Sequence, residues 1–203
     1  LFDHFRDGSR VFVLVGDVSG KGIAAALFMA RTKTVFEAAA ERADDPGAIL
    51  EQVNRSLCRD NESGMFVTAA VGVLDLASGE LALALAGHDP PVLVPADGPP
   101  GPVTAQGGRV LGLIEAPDFP VNRLRLAPGD AVVLFTDGVP EAQDPQGAFF
   151  GAERIVKAVA GSRQEAPATM TRQLLQAVRD FAGEAPQSDD ITILTLRRLG
   201  ARD

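Results

Sequence analysis

VFVLVGDVSGKG, residues Val11–Gly22, joins a continuous apolar run to a glycine-rich stretch ending in lysine and glycine. Bounded by turn residues, Val11–Val15 predicts a buried strand. From Ile23 to about Ala43 the chain is rich in alanine and holds neither proline nor internal glycine, which predicts a long helix. The glycine-rich stretch therefore sits at a strand-to-helix junction, and two readings compete for it. Its glycines and Lys21 suit a loop that cradles phosphate, whereas its lone carboxylate, Asp17, suits a metal. The first reading fails on spacing. A Walker loop needs G-x-x-x-x-G-K-[ST]. With Gly20-Lys21 as its GK pair, Val15 stands where the first glycine should be and Gly22 where the hydroxyl residue should be.

Further along, Asp44-Asp45-Pro46-Gly47 ends the first helix, and Ile49, Leu50, Val53 and Leu57 share one face of a second. Met65–Leu76 and Leu81–Ala86 are strand-like and joined by the hairpin signal Ala77-Ser78-Gly79-Glu80. His88-Asp89-Pro90-Pro91 turns the chain into the short strand Val92–Val94, and the Gly/Pro-rich Ala96–Gly108 reads as a surface loop. Val121–Leu126 alternates, with Leu124 and Leu126 opposite Arg123 and Arg125. The turn Pro128-Gly129-Asp130 leads into the buried strand Ala131–Phe135. Helices at Ala152–Ala160 and about Ala166–Phe181 precede a β-branched strand, Ile191–Leu196. Helices come in consecutive pairs and strands in consecutive runs, so the pattern predicts an α+β layered domain with antiparallel sheet.

The 203 residues, 46% hydrophobic, are enough for a single domain with a sizeable core, taken here as residues 1–203. No apolar run approaches the ~18 residues of a membrane span. A net charge of −8 and the lack of Trp and Tyr exclude nucleic-acid binding through a basic, aromatic surface. A lone cysteine, Cys58, excludes an internal disulfide and makes the cytoplasm the default compartment; its place on the apolar side of the second helix predicts a core role. With no secretory signal and no initiator methionine, the chain is expected to be part of a longer protein.

The carboxylates form the more informative pattern. Asp17 follows Val11–Val15, Asp137 follows Ala131–Phe135 in FTDGV, and Asp189-Asp190 precede Ile191–Leu196 in SDDIT. Each is flanked by Gly, Ser or Thr, and each charge is costly beside an apolar strand unless paired or metal-bound. If the strands are neighbours, the carboxylates converge and need a cation. Oxygen ligands without His or Cys select Mg²⁺ or Mn²⁺ over zinc. Two such ions acidify a water held between them. The plainer alternative is that each Asp is a turn former or helix cap.

GDVSGKG at Gly16, FVTAAVGVLD at Phe66, AGHDPP at Ala86, LFTDGVPEA at Leu134, Phe150-Gly151 and SDDIT at Ser188 resemble, in order and over nearly the whole chain, successive motifs of the bacterial SpoIIE-like branch of the metal-dependent PPM-type protein phosphatases. The resemblance implies a four-layer α-β-β-α sandwich, its two mainly antiparallel sheets flanked by helix pairs. It implies two Mn²⁺ or Mg²⁺ ions, bridged by Asp17, with the Val18 backbone carbonyl, Asp137 and Asp189 as further ligands. Asp190 stands where many relatives have Asn, near the phosphate or a metal-bound water. The implied reaction is attack of metal-activated hydroxide on phosphoserine or phosphothreonine in a protein, typically a phosphorylated anti-sigma-factor antagonist. A sensor or receiver domain commonly precedes this phosphatase domain. Two departures stand out. Ser19 occupies the place of a histidine found in eukaryotic relatives, and Phe2-Asp3 matches a pair that in relatives follows an acidic motif lying upstream of this chain, so a first strand is expected to be missing. A phosphatase-fold binding module without useful turnover is the alternative function, and intact Asp17, Asp137 and Asp189 count against it. Plainer roles are expected elsewhere: a turn at His88, strand-helix capping or phosphate attraction by Lys21, and solvated Glu141, Arg31 and Lys33.

Overall fold

In the computed structural model, which describes residues 1–59, 61–115 and 117–200, the chain enters on β1 (Phe2–Asp7), a strand that the sequence pattern leaves unassigned, and turns back into β2 (Arg10–Val18). The apolar run Val11–Val15 is thus the middle of a longer strand, and Asp17 lies inside β2 rather than in a turn after it. The extension follows from pairing with β3 (Val67–Asp75): Gly16 lies opposite Ala69, Asp17 opposite Thr68 and Val18 opposite Val67. A side chain at Gly16 would bring a Cβ within 2.7 Å of the Thr68 carbonyl oxygen, so only glycine continues the ladder there.

Two compact units divide the chain. The first holds Leu1–His88 and Ala105–Arg125, the second Asp89–Thr104 and the chain from Leu126 onward. In the first unit, β1, β2, β3, β4 (Glu80–Ala86) and, across the sheet, a strand at Val121–Arg125 form one antiparallel sheet in the order in which they are named. Its helices are α1 (Ile23–Ala40) and α2 (Pro46–Cys58). Asp45 is the N-cap of α2, its carboxylate accepting from Ala48 N–H at 3.0 Å, with Pro46 in the first turn. Helix α1 ends at Ala40, short of the Asp44-Asp45-Pro46-Gly47 stretch expected to end it, and that stretch starts α2 instead. Ile49, Leu50, Val53 and Leu57 are buried as their spacing predicts, in one core with Phe28 and Phe36 of α1 and Phe12 and Leu14 of β2. Full burial of each such side chain is worth ~1.5–3 kcal/mol.

In the second unit, β5 (Val92–Val94), β6 (Gly101–Pro102), β8 (Ala131–Phe135) and β9 (Ile193–Arg197) form a four-stranded sheet in the order β6-β5-β8-β9, the strand at Val121–Arg125 being β7. All its pairings are antiparallel. Asp130 fixes the turn into β8, accepting from Ala96 N–H and Ala127 N–H, both at 2.8 Å. Helices α3 (Gly151–Gly161) and α4 (Pro167–Ala182) place Ile155, Val159, Met170, Leu174 and Val178 in a core with Val92, Val133 and Phe135. The fold is α+β, with two antiparallel sheets and four helices among the described residues, as the element pattern predicts.

Smaller expectations divide. Arg31, expected to be solvated, instead donates to the carbonyls of Ser56 and Arg59 at 2.6 and 3.0 Å, satisfying the end of α2. Lys33 is exposed, near Asp3 and Glu37. Cys58 is half-buried rather than core, its thiol 3.7 Å from Asn54 Oδ1, and burial pushes its pKa up. Among the described residues, no helix is long and apolar enough to cross a membrane.

Candidate metal centre

Asp17 and Val18 belong to the first unit and are held by the β2–β3 ladder. The chain leaves the strand under restraint: Ser19 N–H donates to Phe66 O, and Phe66 N–H donates to Ser19 Oγ, both at 2.9 Å. Ser19, the residue that departs from the eukaryotic pattern, is thus a tie across the loop. Gly20 and Gly22 then adopt φ of 85° and 87°, a region that side chains disfavour, before α1 begins. One strand further in, Thr68 Oγ1 lies 3.1 Å from His88 Nδ1, so the turn at His88 is anchored to the residue opposite Asp17.

The second unit brings two of the predicted carboxylates together. β8 and β9 pair in the register Phe135↔Ile193, so the residue pair following β8 and the turn preceding β9 are neighbours. Asp137 and Asp189 are both half-buried and offer carboxylate oxygens within 4.8 Å of each other. Asp189 Oδ1 accepts from Asp190 N–H at 2.8 Å, while Gln187 Nε2 donates to the Asp189 carbonyl at 2.7 Å. Asp190 is exposed. The strand β9 starts two residues later than predicted because Thr192 is bonded to Thr136: its N–H donates to Thr136 Oγ1 at 2.9 Å, and its carbonyl accepts from Thr136 N–H.

Asp137 is the least comfortable group. Its Oδ1 is buried without a hydrogen-bond partner. Burial first, then the charge of Asp189 and more weakly that of Asp89, raise its pKa above the ordinary Asp value. A buried carboxylate oxygen without a donor, beside a second carboxylate, fits a cation. The donor set is oxygen only, which suits a hard divalent ion. Glu141 has an exposed side chain, its N–H donating to the Asp137 carbonyl. Lys21 is also exposed.

Sequence reasoning passed over three residues here. Asp89 appeared only as part of a turn, and its carboxylate acts on Asp137 through space, which no local pattern reveals. Thr136 and Gly138 appeared only as small residues flanking Asp137. The buried Thr136 hydroxyl donates to the Asp190 carbonyl at 2.8 Å. A Cβ at Gly138 would lie 2.5 Å from that same carbonyl oxygen.

The family model for Stage II sporulation protein E (SpoIIE) matches residues 7–199. RsbU of Bacillus subtilis (strain 168), named as a phosphoserine phosphatase, is 29% identical over 200 residues, covering 96% of this chain and 58% of RsbU. The solved RsbU and RsbW domains of Rv1364c from Mycobacterium tuberculosis superpose with a TM-score of 0.84 at 29% identity, over 100% of this chain and 55% of that one. RsbX, solved in complex with magnesium, shares the fold at a TM-score of 0.67 and 16% identity, over 96% of this chain and 84% of that one. The chain spans 33% and 58% of the lengths of two curated relatives that it matches.

Proposed function

The chain belongs to the Stage II sporulation protein E (SpoIIE) family and is a PPM-type phosphatase domain of the RsbU/SpoIIE kind, and from that premise we propose that it hydrolyses phosphoserine or phosphothreonine on a regulatory protein. The observation that carries the proposal is the buried, unpartnered Asp137 Oδ1 beside Asp189, in the two motifs where the family holds metal. Asp137 and Asp189 are the ligands supplied by the second unit, and Asp17 with the Val18 carbonyl those supplied by the first, for two Mn²⁺ or Mg²⁺ ions. When bound, such ions supply an acidified water as nucleophile and offset charge on the phosphoryl oxygens.

The chain's own residues do the holding. The β2–β3 ladder fixes the backbone at Asp17 and Val18. Asp190 N–H fixes one oxygen of Asp189, leaving the other to a ligand. Asp190, exposed, stands beside the substrate phosphate on this reading. Ser19 brings no group that titrates near neutrality, so it is not a counterpart of the eukaryotic histidine.

The substrate on this reading is a phosphorylated anti-sigma-factor antagonist, as the resemblance to this branch implies, and the similarity to RsbU, a phosphoserine phosphatase by name, supports phosphoserine chemistry. Residues 1–203 act as one phosphatase domain in the cytoplasm, following a sensor or receiver domain and an upstream acidic motif. A net charge of −8 gives no support to a nucleic-acid partner.

Hydrolysis of a phosphoserine protein or an aryl phosphate, with and without Mn²⁺, tests the reading on a chain extended through the upstream acidic motif. Wild type is expected to turn over only with metal, and Asp137→Asn to lose about 10²-fold or more. Metal-independent turnover, no turnover at all, or an undiminished Asp137→Asn would sink it.

A further inference from the structure

Thr136 makes more hydrogen bonds than strand pairing requires. The β8–β9 ladder closes on Phe135↔Ile193, and the bond from Thr136 N–H to the Thr192 carbonyl, at 3.1 Å, already carries it one step further. Any residue but proline at position 136 would make that bond. The hydroxyl adds two others: it donates to the Asp190 carbonyl at 2.8 Å and accepts from Thr192 N–H at 2.9 Å. Those bonds straddle Ile191 and hold the chain that emerges from the Asp189-Asp190 turn. Both the donor and an acceptor site of a buried hydroxyl are thereby used.

Gly138 acts on the same carbonyl from two residues further along. The Cβ that any other residue would place there meets Asp190 O at 2.5 Å, Asp190 C at 3.0 Å and Asp189 O at 3.2 Å. Asp137 lies between these two residues in sequence. Its position and that of the Asp189 turn are therefore coupled through one carbonyl, drawn in by Thr136 and admitted by Gly138. Threonine suits the task better than a freely rotating hydroxyl, because its branched Cβ restricts χ1.

We propose that Thr136 is a positioning residue for the metal centre, its hydroxyl setting the Asp189-Asp190 turn against Asp137 so that both carboxylates reach one ion. This rests on the metal-dependent reading above. Removing an outer partner that orients metal ligands typically costs 10–100-fold in affinity, and the coupling through the Asp190 carbonyl puts Thr136 in that class.

Calorimetric titration with Mn²⁺ on wild type, Thr136→Val and Thr136→Ser tests it, with thermal unfolding in chelator recorded for each. Thr136→Val keeps the shape and loses the hydroxyl, and it is expected to bind Mn²⁺ about 10–100-fold more weakly. Thr136→Ser keeps the hydroxyl and is expected to recover most of that loss. A purely structural threonine would shift the chelator melting point without producing this split. Wild-type affinity in Thr136→Val, or equal weakness in Thr136→Ser, overturns the proposal. Should Thr136→Val fail to fold, Gly138→Ala displaces the Asp190 carbonyl while leaving the hydroxyl in place. It is expected to weaken Mn²⁺ binding in the same range, and unchanged affinity overturns the coupling. A wild type that binds no Mn²⁺ brings down the phosphatase reading and this inference together, whereas wild-type binding with an unaltered Thr136→Val brings down this inference alone.

Discussion

The first unit carries its proposed ligand on a strand, and the second carries its pair on loops. Asp17 sits in the β2–β3 ladder, where backbone bonds to the neighbouring strand fix its Cα and the pairing makes one demand on its neighbours, the glycine at position 16. Asp137 and Asp189 lie just beyond β8 and before β9, where the ladder has ended and a hydroxyl, a glycine and backbone amides take over. A ladder gives position mainly through backbone bonds, here with a single requirement for glycine. A loop must encode position in particular side chains, which is why the second unit has the motif-like FTDG and SDD clusters.

The helices differ as well, and the largest expected effects test that difference. Apolar residues lie all round α1, whereas α3 and α4 keep theirs to one face. Burial sorts them: on α1, Phe36 is 2% exposed and Leu27 67%, and on α4 Leu174 is fully buried. Phe36→Ala is expected to cost about 3–5 kcal/mol and Leu174→Ala about 2–5 kcal/mol, since both open cavities in packed cores. Leu27→Ala should stay within about 0.5 kcal/mol. Urea denaturation measures all three. A Leu27→Ala cost in the range of the other two would break the distinction between the faces of α1.

Among the acidic residues, the comparison predicts an effect of opposite sign. In the metal-free protein, burial and then the charge of Asp189 hold the Asp137 pKa above its ordinary value. The folded state therefore binds that proton more tightly than the unfolded chain does. Metal-free stability is fully favoured below the ordinary Asp pKa and falls as pH rises through the raised one. Asp137→Asn removes the charge and is expected to stabilise the chelated protein at neutral pH by roughly 1 kcal/mol, a gain of the size common when functional strain is relieved. The same substitution is expected to lower metal-dependent turnover by about 10²-fold or more. Urea midpoints in chelator, taken at neutral and acid pH, check both parts: the difference should shrink on acidification. A lower midpoint at neutral pH, or a difference that ignores pH, would contradict the description of Asp137 as a strained ligand.

Much of this was legible in the sequence, for definite reasons. Ala131–Phe135 is bounded as predicted because turn residues flank an unbroken apolar run. The face of α2 was read from 3–4 spacing, and the hairpin from its Gly79 turn. β1 was missed because FDHFRD mixes charged and aromatic residues and pairs as an edge strand, half exposed. The end of β2 was missed because Gly16 and Asp17 look like turn formers, and only the close approach of Thr68 explains the glycine. The candidate carboxylates were all visible as strand-end aspartates. Which strands are neighbours was not: β8 and β9 are sequence-distant partners in one sheet, while β2 belongs to the other. The Thr136 bonds and the influence of Asp89 were likewise out of reach, since both depend on contacts between residues about 50 positions apart.

The finest distinction between the units lies in how their helices begin. α2 has a side-chain cap, Asp45, while α4 starts from Ala166 with none, although Ala166 already has the extended backbone of a cap residue (φ −60°, ψ 148°) and is followed by Pro167 at the first helical position. The local geometry is thus suited to capping in both places, and only the side chain differs. Asp45→Ala is expected to cost about 1 kcal/mol, and Asp45→Asn, which keeps the accepting oxygen, a few tenths. Asp45 also lies 3.7 Å from Arg123, so the alanine–asparagine difference isolates the cap from that exposed pair. Ala166→Asp should move the other way, gaining about 0.5–1 kcal/mol from a side-chain acceptor at the first turn, where Thr169 N–H already donates to the Ala166 carbonyl at 2.8 Å, and from a negative charge at the helix N-terminus. Urea midpoints resolve both. If Ala166→Asp gains nothing while Asp45→Ala costs the full amount, then the first turn of α4 already has its N–H groups satisfied, and the missing cap is no defect of the second unit.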